Sequence, residues 1–470
     1  MAIKHLTYAA IPLIAASMSS QAATVDQLNR QVQKLNQRIA AQDQRFRVNG
    51  FATFGMSISD ESMAYNDVND EISFNRFSKA GVQMTFNMDS QNSVVMQLVS
   101  RGSNNWETNA EWAYFKHEFG NGLSGKIGRI RLPAYQLSEF LDVGYATPYA
   151  QVPAETYDSL DPFSNMEGVD LSYSMDVGDN TANFQAVYGR AKDDEFDLKD
   201  ILGLSAVFQA DTWSARLGYS TASVNVVSET LQGAIGLYGG ETEDIDGAFT
   251  SLGFTYDPGD LYFTTEYTQL EADGQIVDAD ALYATIGYRF GRLMPTLTYA
   301  MAESTDDTER AFSEIAAANP VLDADSGATL AVLMGAANTF GVGDGTTSQA
   351  NLAVVAATGA ATIAALPTAT GTDLVNKGTL EGAVSAASGV LAGHAGLEAA
   401  SNRNTQRIGL GLRYDMSPGT ALKIQYDIIE VDGESGLFDD TAWATNAASG
   451  AGASNPDGTN VLTISIDTVF

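Results

Sequence analysis

The stretch RIGLGLRYDMSPGTALKIQYDII, residues 407–429, holds two segments in which apolar and polar residues alternate, joined by the short sequence MSPGT at 416–420. In the first segment one face carries Ile408, Leu410, Leu412 and Tyr414, and the other carries Arg407, Gly409, Gly411 and Arg413. A period of two is typical of a β-strand whose two faces meet different surroundings. Pro and Gly between the segments favour a tight turn. The stretch therefore predicts a β-hairpin.

The same period recurs in sixteen segments of the chain. The segments are 47–59, 72–88, 91–101, 107–119, 121–132, 167–177, 181–191, 199–210, 211–223, 247–257, 260–271, 280–290, 292–303, 404–416, 419–430 and 460–470. Short turns such as GNG, VGDN and DPGD alternate with longer polar loops. An up-and-down sheet that has all its short turns at one end has the layout of an outer-membrane barrel. A soluble sandwich is the alternative, but it would leave sheet edges to protect.

The predicted fold is therefore all-β: a 16-stranded antiparallel transmembrane β-barrel, residues 47–470, with a short N-terminal helical coiled coil. Residues 1–22 hold one early charge and the apolar run YAAIPLIAA, which predicts a secretory signal peptide; a buried helix is the alternative. Residues 23–46 carry apolar side chains at spacings of three and four, which predicts an oligomeric coiled coil or an amphipathic helix folded onto its own domain. After residue 22 the chain has no run of about 18 apolar residues, so no membrane-spanning helix is predicted.

Composition excludes several functions. The 470-residue chain has 58 acidic and 25 basic residues, a formal net charge of −33, and no cysteine. Such a charge argues against nucleic acid as a partner, because phosphates are repelled. Only His117 and His394 follow the predicted signal, and no serine motif accompanies a base. We therefore predict no enzymatic activity, no cofactor and no transition-metal site. Acidic loops at 65–70 and 457–460 are either Ca²⁺ ligands that bridge to lipopolysaccharide or simply solvated.

At this point the chain resembles the Gram-negative porins, which are trimeric 16-stranded channels of the outer membrane. The resemblance lies in the alternating strands, in Phe470 and in KIGRIRLPAYQLSEFLDVGYATPYAQVPAETYD at 126–158. It implies that residues 133–166 form an inward-folded constriction loop and that Phe470 is a signal to the barrel-assembly machinery. The N-terminal heptads resemble those of trimeric porins of the dicarboxylate-uptake type. The chain departs from this pattern at 304–403, an Ala/Gly-rich insert expected to be an extracellular loop.

Charge placement predicts the pore-lining residues. Alternation places Arg129 and Arg131 on the lumen face and Ile130 and Leu132 on the lipid face. The predicted basic wall of the constriction comprises Arg101, Arg129, Arg131, Arg407 and Arg413, and the acidic loop comprises Glu139, Asp142, Glu155, Asp158 and Asp161. Opposed charges across a constriction create a transverse field that filters ions. For each single charge, a solvated lumen position without such a role is the alternative.

Three functions follow as hypotheses. The first is a homotrimeric outer-membrane porin for passive diffusion of small hydrophilic solutes and ions, in contact with lipopolysaccharide and outer-membrane lipid. The second is a surface adhesin or receptor that uses the 304–403 insert and has the barrel as its anchor. The third is substrate-specific uptake, for example of dicarboxylates or short saccharides.

Overall fold

A closed β-barrel makes up the described part of the protein. The computed structural model describes residues 45–158, 160, 164–193, 195–228, 232, 241–273, 278–305, 403–432, 437–438 and 456–470. Within them each strand pairs antiparallel with its sequence neighbours, and the last strand pairs with the first. The predicted all-β barrel of sixteen antiparallel strands is thereby confirmed.

The sixteen strands of the described residues lie close to the predicted segments. They are β1 (Phe46–Ser59), β2 (Lys79–Asn87), β3 (Asn92–Arg101), β4 (Thr108–Gly120), β5 (Leu123–Arg131), β6 (Asn165–Val177), β7 (Asn180–Lys192), β8 (Phe196–Gln209), β9 (Trp213–Val226), β10 (Ile245–Tyr256), β11 (Leu261–Ala272), β12 (Ala279–Tyr288), β13 (Leu293–Ser304), β14 (Thr405–Ser417), β15 (Thr420–Val431) and β16 (Gly458–Val469). One helical turn, α1 (Ala154–Tyr157), and 3₁₀ turns at Gly102–Asn104 and Gly144–Ala146 lie in the connections.

The start of β2 differs from the prediction. The alternation predicts a strand from residue 72, whereas β2 begins at Lys79. Residues 72–78 belong instead to the β1–β2 connection. There Ser73 exchanges backbone hydrogen bonds of 2.8 and 2.9 Å with Ser57, outside the β1–β2 ladder. The alternating sequence thus begins before the β1–β2 ladder does.

The two faces of the barrel have opposite character. On β14 and β15 the outward side chains are apolar: Leu410 is 52% exposed and Ile424 is 40% exposed. Their neighbours Arg407, Lys423 and Asp427 point inward and are at most 1% exposed. Apolar side chains outside and charged ones inside reverse the pattern of a soluble protein and suit a barrel surrounded by lipid.

Short turns connect the strands at one end of the barrel, as the alternation of loop lengths predicts. The β4–β5 turn consists of Gly120, Asn121 and Gly122 with φ angles of 90°, 52° and 81°. Glycine and asparagine tolerate this left-handed backbone better than other residues do, so the GNG sequence permits a sharp reversal. The long connections all join strand ends at the opposite end of the barrel, and the β5–β6 connection folds into the lumen.

Barrel closure joins the two ends of the described chain. Gly50 and Phe470 exchange backbone hydrogen bonds of 2.8 and 2.9 Å, and Phe51 pairs with Val469 in the β1–β16 ladder. The Phe470 ring covers Gly50 so closely that a β-carbon there would lie 2.3 Å from the ring. Glycine at position 50 therefore permits the terminal aromatic side chain to lie on the outer surface.

Several predicted segments fall outside the described residues. These are the signal peptide at 1–22, almost all of the coiled-coil segment at 23–46, and residues 306–402 of the insert. Among the helices of the described residues, none has both the length and the apolar character needed to cross a membrane.

Candidate functional site

The connection between β5 and β6 spans residues 132–164 and is here called loop L3. Its described residues, 132–158, 160 and 164, lie inside the barrel. Its first part is held by β9 and β11. Arg216 Nη1 donates to the Ala134 carbonyl at 3.0 Å, and the backbone N–H of Gln136 donates to Glu266 Oε1 at 2.6 Å. L3 therefore runs along the inner wall rather than out into solvent.

The middle of L3 is held against the wall formed by β2, β3 and β5 through Asp142. Arg101 donates to both Asp142 oxygens from Nε and Nη2, at 2.8 to 3.0 Å. Arg131 Nη2 donates to Oδ2 at 3.0 Å, and Lys79 Nζ lies 3.9 Å from Oδ1. Arg101 also binds Glu111 at 2.6 Å. Three basic groups on three strands thus converge on one loop carboxylate.

Electrostatics keep this carboxylate ionised. Burial alone would raise the pKa of Asp142, but the positive charges of Lys79, Arg101 and Arg131 outweigh burial and lower the pKa to about 2. The side chain of Asp142 is only 6% exposed. Charge-assisted, bidentate contacts of this kind are among the stronger hydrogen bonds in proteins. Asp142 is therefore a negatively charged anchor across the physiological pH range.

The later part of L3 is held by β14 and β15. Lys423 Nζ donates to the Tyr149 carbonyl at 2.7 Å and lies 3.0 Å from Asp467. Arg413 Nη1 donates to the Tyr145 and Thr147 carbonyls at 2.8 and 2.9 Å. Basic side chains of the wall thus bind backbone oxygens of the loop as well as acidic side chains.

A second buried ion pair holds α1. Arg407 Nε donates to Glu155 at 2.9 Å, and its Nη1 lies 3.7 Å from Asp427. The side chains of these three residues are at most 1% exposed. The Tyr65 hydroxyl, from the β1–β2 connection, reaches the same Glu155 oxygen at 3.3 Å. Two connections and two strands therefore share one charged cluster.

The remaining predicted site residues are placed differently. Arg129 lines a cavity beside Arg101 and Arg131, and none of the described residues forms an ion pair with it. Asp158 pairs with Arg403 at 3.0 Å, and Glu139 is exposed. Asp161 lies outside the described residues. The prediction is of acidic and basic groups opposed across a constriction; in the structure Asp142 and Glu155 contact their arginines directly.

Two neighbours of these arginines occupy positions that the sequence analysis does not predict. Ile130 and Leu132, expected to face lipid, are 1% and 4% exposed and pack in an interior apolar cluster with Tyr135, Tyr157 and Met166. Ile130 pairs with Met166 in the β5–β6 ladder, and Met166 is fully buried in the same cluster. L3 therefore has an apolar base as well as ionic anchors.

Sequence reasoning missed Lys79, Glu111 and Tyr65 as members of the site. Lys423, Asp427 and Asp467 lie at polar positions of alternating segments, but alternation does not identify their partners. Their contacts span long distances in the chain: the Thr53 hydroxyl, for example, donates to Asp467 at 2.6 Å across 414 positions. No local pattern could have revealed such pairs.

A cavity of about 410 Å³ lies between L3 and the wall of β1 to β5. Its charged lining comprises five basic and four acidic side chains: Arg76, Lys79, Arg101, Arg129 and Arg131 with Glu111, Asp142, Asp158 and Asp467. Asn66, Ser103 and Asn104, from the connections at the long-loop end, also line it. The cavity therefore lies on the long-loop side of the Asp142 contacts. Nowhere in the described residues do three His, Cys, Asp or Glu side chains come together in a way that would hold a metal ion.

Neither a protein-family model nor a curated protein matches this sequence. Similar solved structures include the Salmonella typhi OmpF complex with daunomycin, at 12% identity and a TM-score of 0.51 over 91% of this chain and 99% of that one. Pseudomonas putida OprB at high pH has 10% identity and a TM-score of 0.49 over 93% and 97% of the two chains. The anion-selective porin from Comamonas acidovorans has 11% identity and a TM-score of 0.48 over 90% and 99%. The closed sixteen-stranded barrel and its likeness to OmpF show that this chain has the fold of the Gram-negative outer-membrane porins.

Proposed function

We propose that this protein is a channel of the Gram-negative outer membrane through which small hydrophilic solutes and ions diffuse passively. The observation that carries the proposal is the reversal of polarity: apolar side chains cover the outside of a closed barrel, and charged ones line its interior. A barrel of sixteen strands is wide enough to contain water. The OmpF-like fold supports the same function.

The proposal includes no enzymatic step and no cofactor. The buried charged groups of the lumen, such as Arg407 with Glu155 and Lys423 with Asp467, pair with each other and hold L3 in place. It also includes assembly as a homotrimer in contact with lipopolysaccharide and outer-membrane lipid, with Phe470 read by the barrel-assembly machinery. The exposed Phe470 ring, on the outer surface at the barrel seam, is accessible to such a factor.

Conductance of purified protein in planar lipid bilayers tests the channel. Folded protein, identified by its heat-modifiable mobility on gels, is expected to insert with stepwise conductance in groups of three. Heat-denatured protein is the control and should give no steps. Folded protein that inserts but carries no current would refute the proposal.

A second candidate is a surface receptor whose barrel serves as an anchor. This candidate is favoured by the many contacts of L3. The loop fills part of the lumen and is bound by side chains of β3, β5, β9, β11, β14 and β15. Deletion of residues 306–402 distinguishes the two. A channel keeps its conductance without the insert, whereas a receptor that depends on the insert loses its surface binding and has no conductance to keep. A substrate-specific channel for dicarboxylates or short saccharides is a narrower form of the first candidate.

A further inference from the structure

We propose that the turn at residues 65–68 in the β1–β2 connection, here called the entrance hairpin, is a second constriction of the channel and limits the size of the solutes that reach L3. The inference rests on the proposed channel function and assigns part of its selectivity to a second loop. L3 enters the lumen from β5 and β6, whereas the entrance hairpin enters it from β1 and β2.

The entrance hairpin has a defined backbone structure. Tyr65 and Val68 exchange backbone hydrogen bonds of 2.9 and 3.0 Å, which close a two-residue turn. Asn66 and Asp67 have φ angles of 47° and 60°, the left-handed backbone that such a turn requires. Arg76 Nε donates to the Asn66 carbonyl at 2.9 Å and lies 3.3 Å from Asp67. The turn is therefore held in shape by contacts within its own connection.

The entrance hairpin packs against the inner face of the barrel wall. Tyr65 and Val68 are each 1% exposed. They form an apolar cluster with buried side chains of β15 and β16, namely Ile429, Val431 and Val461. These wall residues face the lumen, because on β15 they have the same parity as the buried Asp427, which pairs with the residue on β16. Lumen-facing positions of a channel are usually polar, so this apolar patch serves as the seat of the hairpin.

Two other connections hold the entrance hairpin in place. The backbone N–H of Asn66 donates to the Leu437 carbonyl at 2.9 Å, and the Tyr65 ring meets the Phe438 ring edge-on with centroids 5.2 Å apart. Leu437 and Phe438 belong to the β15–β16 connection. On its other side, the Tyr65 hydroxyl donates to Glu155 in α1 of L3 at 3.3 Å. The hairpin is thus fixed both to the mouth of the barrel and to L3.

The cavity of about 410 Å³ lies between the entrance hairpin and L3. Asn66, Arg76 and Phe77 of the β1–β2 connection line it, and so do residues of L3 between 141 and 158. The side chain of Asp67, at the tip of the hairpin, is 76% exposed. A solute that enters from the long-loop end therefore passes the hairpin before it reaches L3. The cavity is the space between two constrictions in series, and the narrower one sets the size limit.

Polyethylene glycols of graded mass, added to the full-length channel in planar bilayers, measure the size limit. A polymer that enters the pore lowers the ion current, whereas an excluded polymer leaves it largely unchanged. Tyr65→Ser combined with Val68→Ser removes the two side chains that hold the hairpin against the wall. This double variant should admit larger polymers and have a higher single-channel conductance than the original protein.

Val226→Ser combined with Ile245→Ser is the matched control. These two side chains are each 1% exposed and form a separate apolar cluster at the long-loop ends of β9 and β10. The control should keep the size limit of the original protein. An unchanged size limit in the hairpin variant, or an equal increase in the control, would overturn the inference.

Cysteine labelling provides a second test that leaves the apolar contacts of the hairpin intact. The chain has no cysteine, so Asp67→Cys supplies a single thiol at the tip. A bulky thiol reagent attached there should lower the single-channel current. The same reagent attached to Asp246→Cys, at an exposed position of β10, should leave the current unchanged. Equal currents before and after complete labelling of Asp67→Cys would place the hairpin away from the ion path and overturn the inference. Absence of current from every folded variant would instead refute the channel function itself.

Discussion

At the scale of single residues, the stability of the fold depends on each buried charge of the lumen having its partner. Arg407 is 1% exposed and lies between Glu155 and Asp427, which are equally buried. Removing one member of such a cluster leaves the others as unpaired charges in a poorly solvated place, which is far more costly than losing an exposed pair. The exposed pair of Arg190 and Glu167, with side chains 70% and 61% exposed, offers the contrast.

Arg407→Met is therefore expected to lower the free energy of unfolding by about 3–5 kcal/mol, because Glu155 and Asp427 then lack a counter-charge. Thermal unfolding followed by circular dichroism measures the effect. Arg190→Gln is the matched control and should leave the unfolding temperature almost unchanged. Equal shifts for the two variants would show that the Arg407 cluster is solvated and does not anchor L3.

Acid should weaken the Asp142 contacts only at low pH. Since the pKa of Asp142 is about 2 in the folded protein and about 3.9 in an unfolded chain, ionised Asp142 stabilises the fold above pH ~4, and this contribution is lost as pH falls from about 4 to about 2. The difference in unfolding temperature between the original protein and Asp142→Asn should stay constant above pH ~4.5 and shrink below it. Asp142→Asn leaves the contact between Arg101 and Glu111 in place, so the comparison isolates Asp142. A difference that already shrinks between pH 7 and 5 would contradict the assignment.

At the scale of elements, L3 fits its wall closely at Gly144. A β-carbon at this position would lie 2.1 Å from Asp467 Oδ1 and 2.6 Å from Thr53 Oγ1. These two atoms are hydrogen-bonded to each other, so neither can move without breaking that contact. The absence of a side chain at residue 144 thus lets the loop contact β1 and β16.

Gly144→Val should push L3 away from β1 and β16 and lower the free energy of unfolding by about 1–3 kcal/mol, the usual cost of an overpacked site. Single-channel recordings should also show more current noise, because the loop is less firmly held. Gly247→Ala in β10 is the control, since its new β-carbon would have its nearest neighbour at an ordinary 3.6 Å. A Gly144 variant as stable and as quiet as this control would show that the loop has room at this point.

Strands could be predicted from the sequence far better than the path of L3. Alternation identified β14 and β15 because each side chain there faces lipid or the lumen, and the two faces demand different residues. It failed for Ile130 and Leu132 because an apolar residue facing lipid looks the same as one that packs under an inward-folded loop. It could not pair Asp142 with Lys79, since that contact depends on how L3 crosses the lumen.

At the scale of the whole molecule, net charge and lumen charge act at different salt concentrations. The chain carries −33, but screening limits the reach of its acidic loops to ~8 Å at physiological salt and ~3 Å at 1 M. We therefore predict cation preference at low salt that weakens or reverses in molar salt, measured as reversal potential under a salt gradient.

Replacing Arg129 and Arg131 together by Gln should move the reversal potential further towards cations in molar salt, because two positive charges leave the wall of the cavity. Arg190→Gln removes a charge outside this cavity and is the control. An unchanged reversal potential in the double variant would show that these arginines do not border the ion path.

The seam between β1 and β16 has a consequence for how the chain folds. Every other strand pair joins neighbours in the sequence, whereas this one brings residue 51 to residue 469. Hairpins close short loops quickly, but a contact across the whole chain carries the largest loss of chain entropy and slows folding. Until it forms, a curved sheet has two unpaired edges that can join other chains. Pairing of β16 with β1 therefore completes the barrel, and the protein is most exposed to aggregation in the time before these two strands meet.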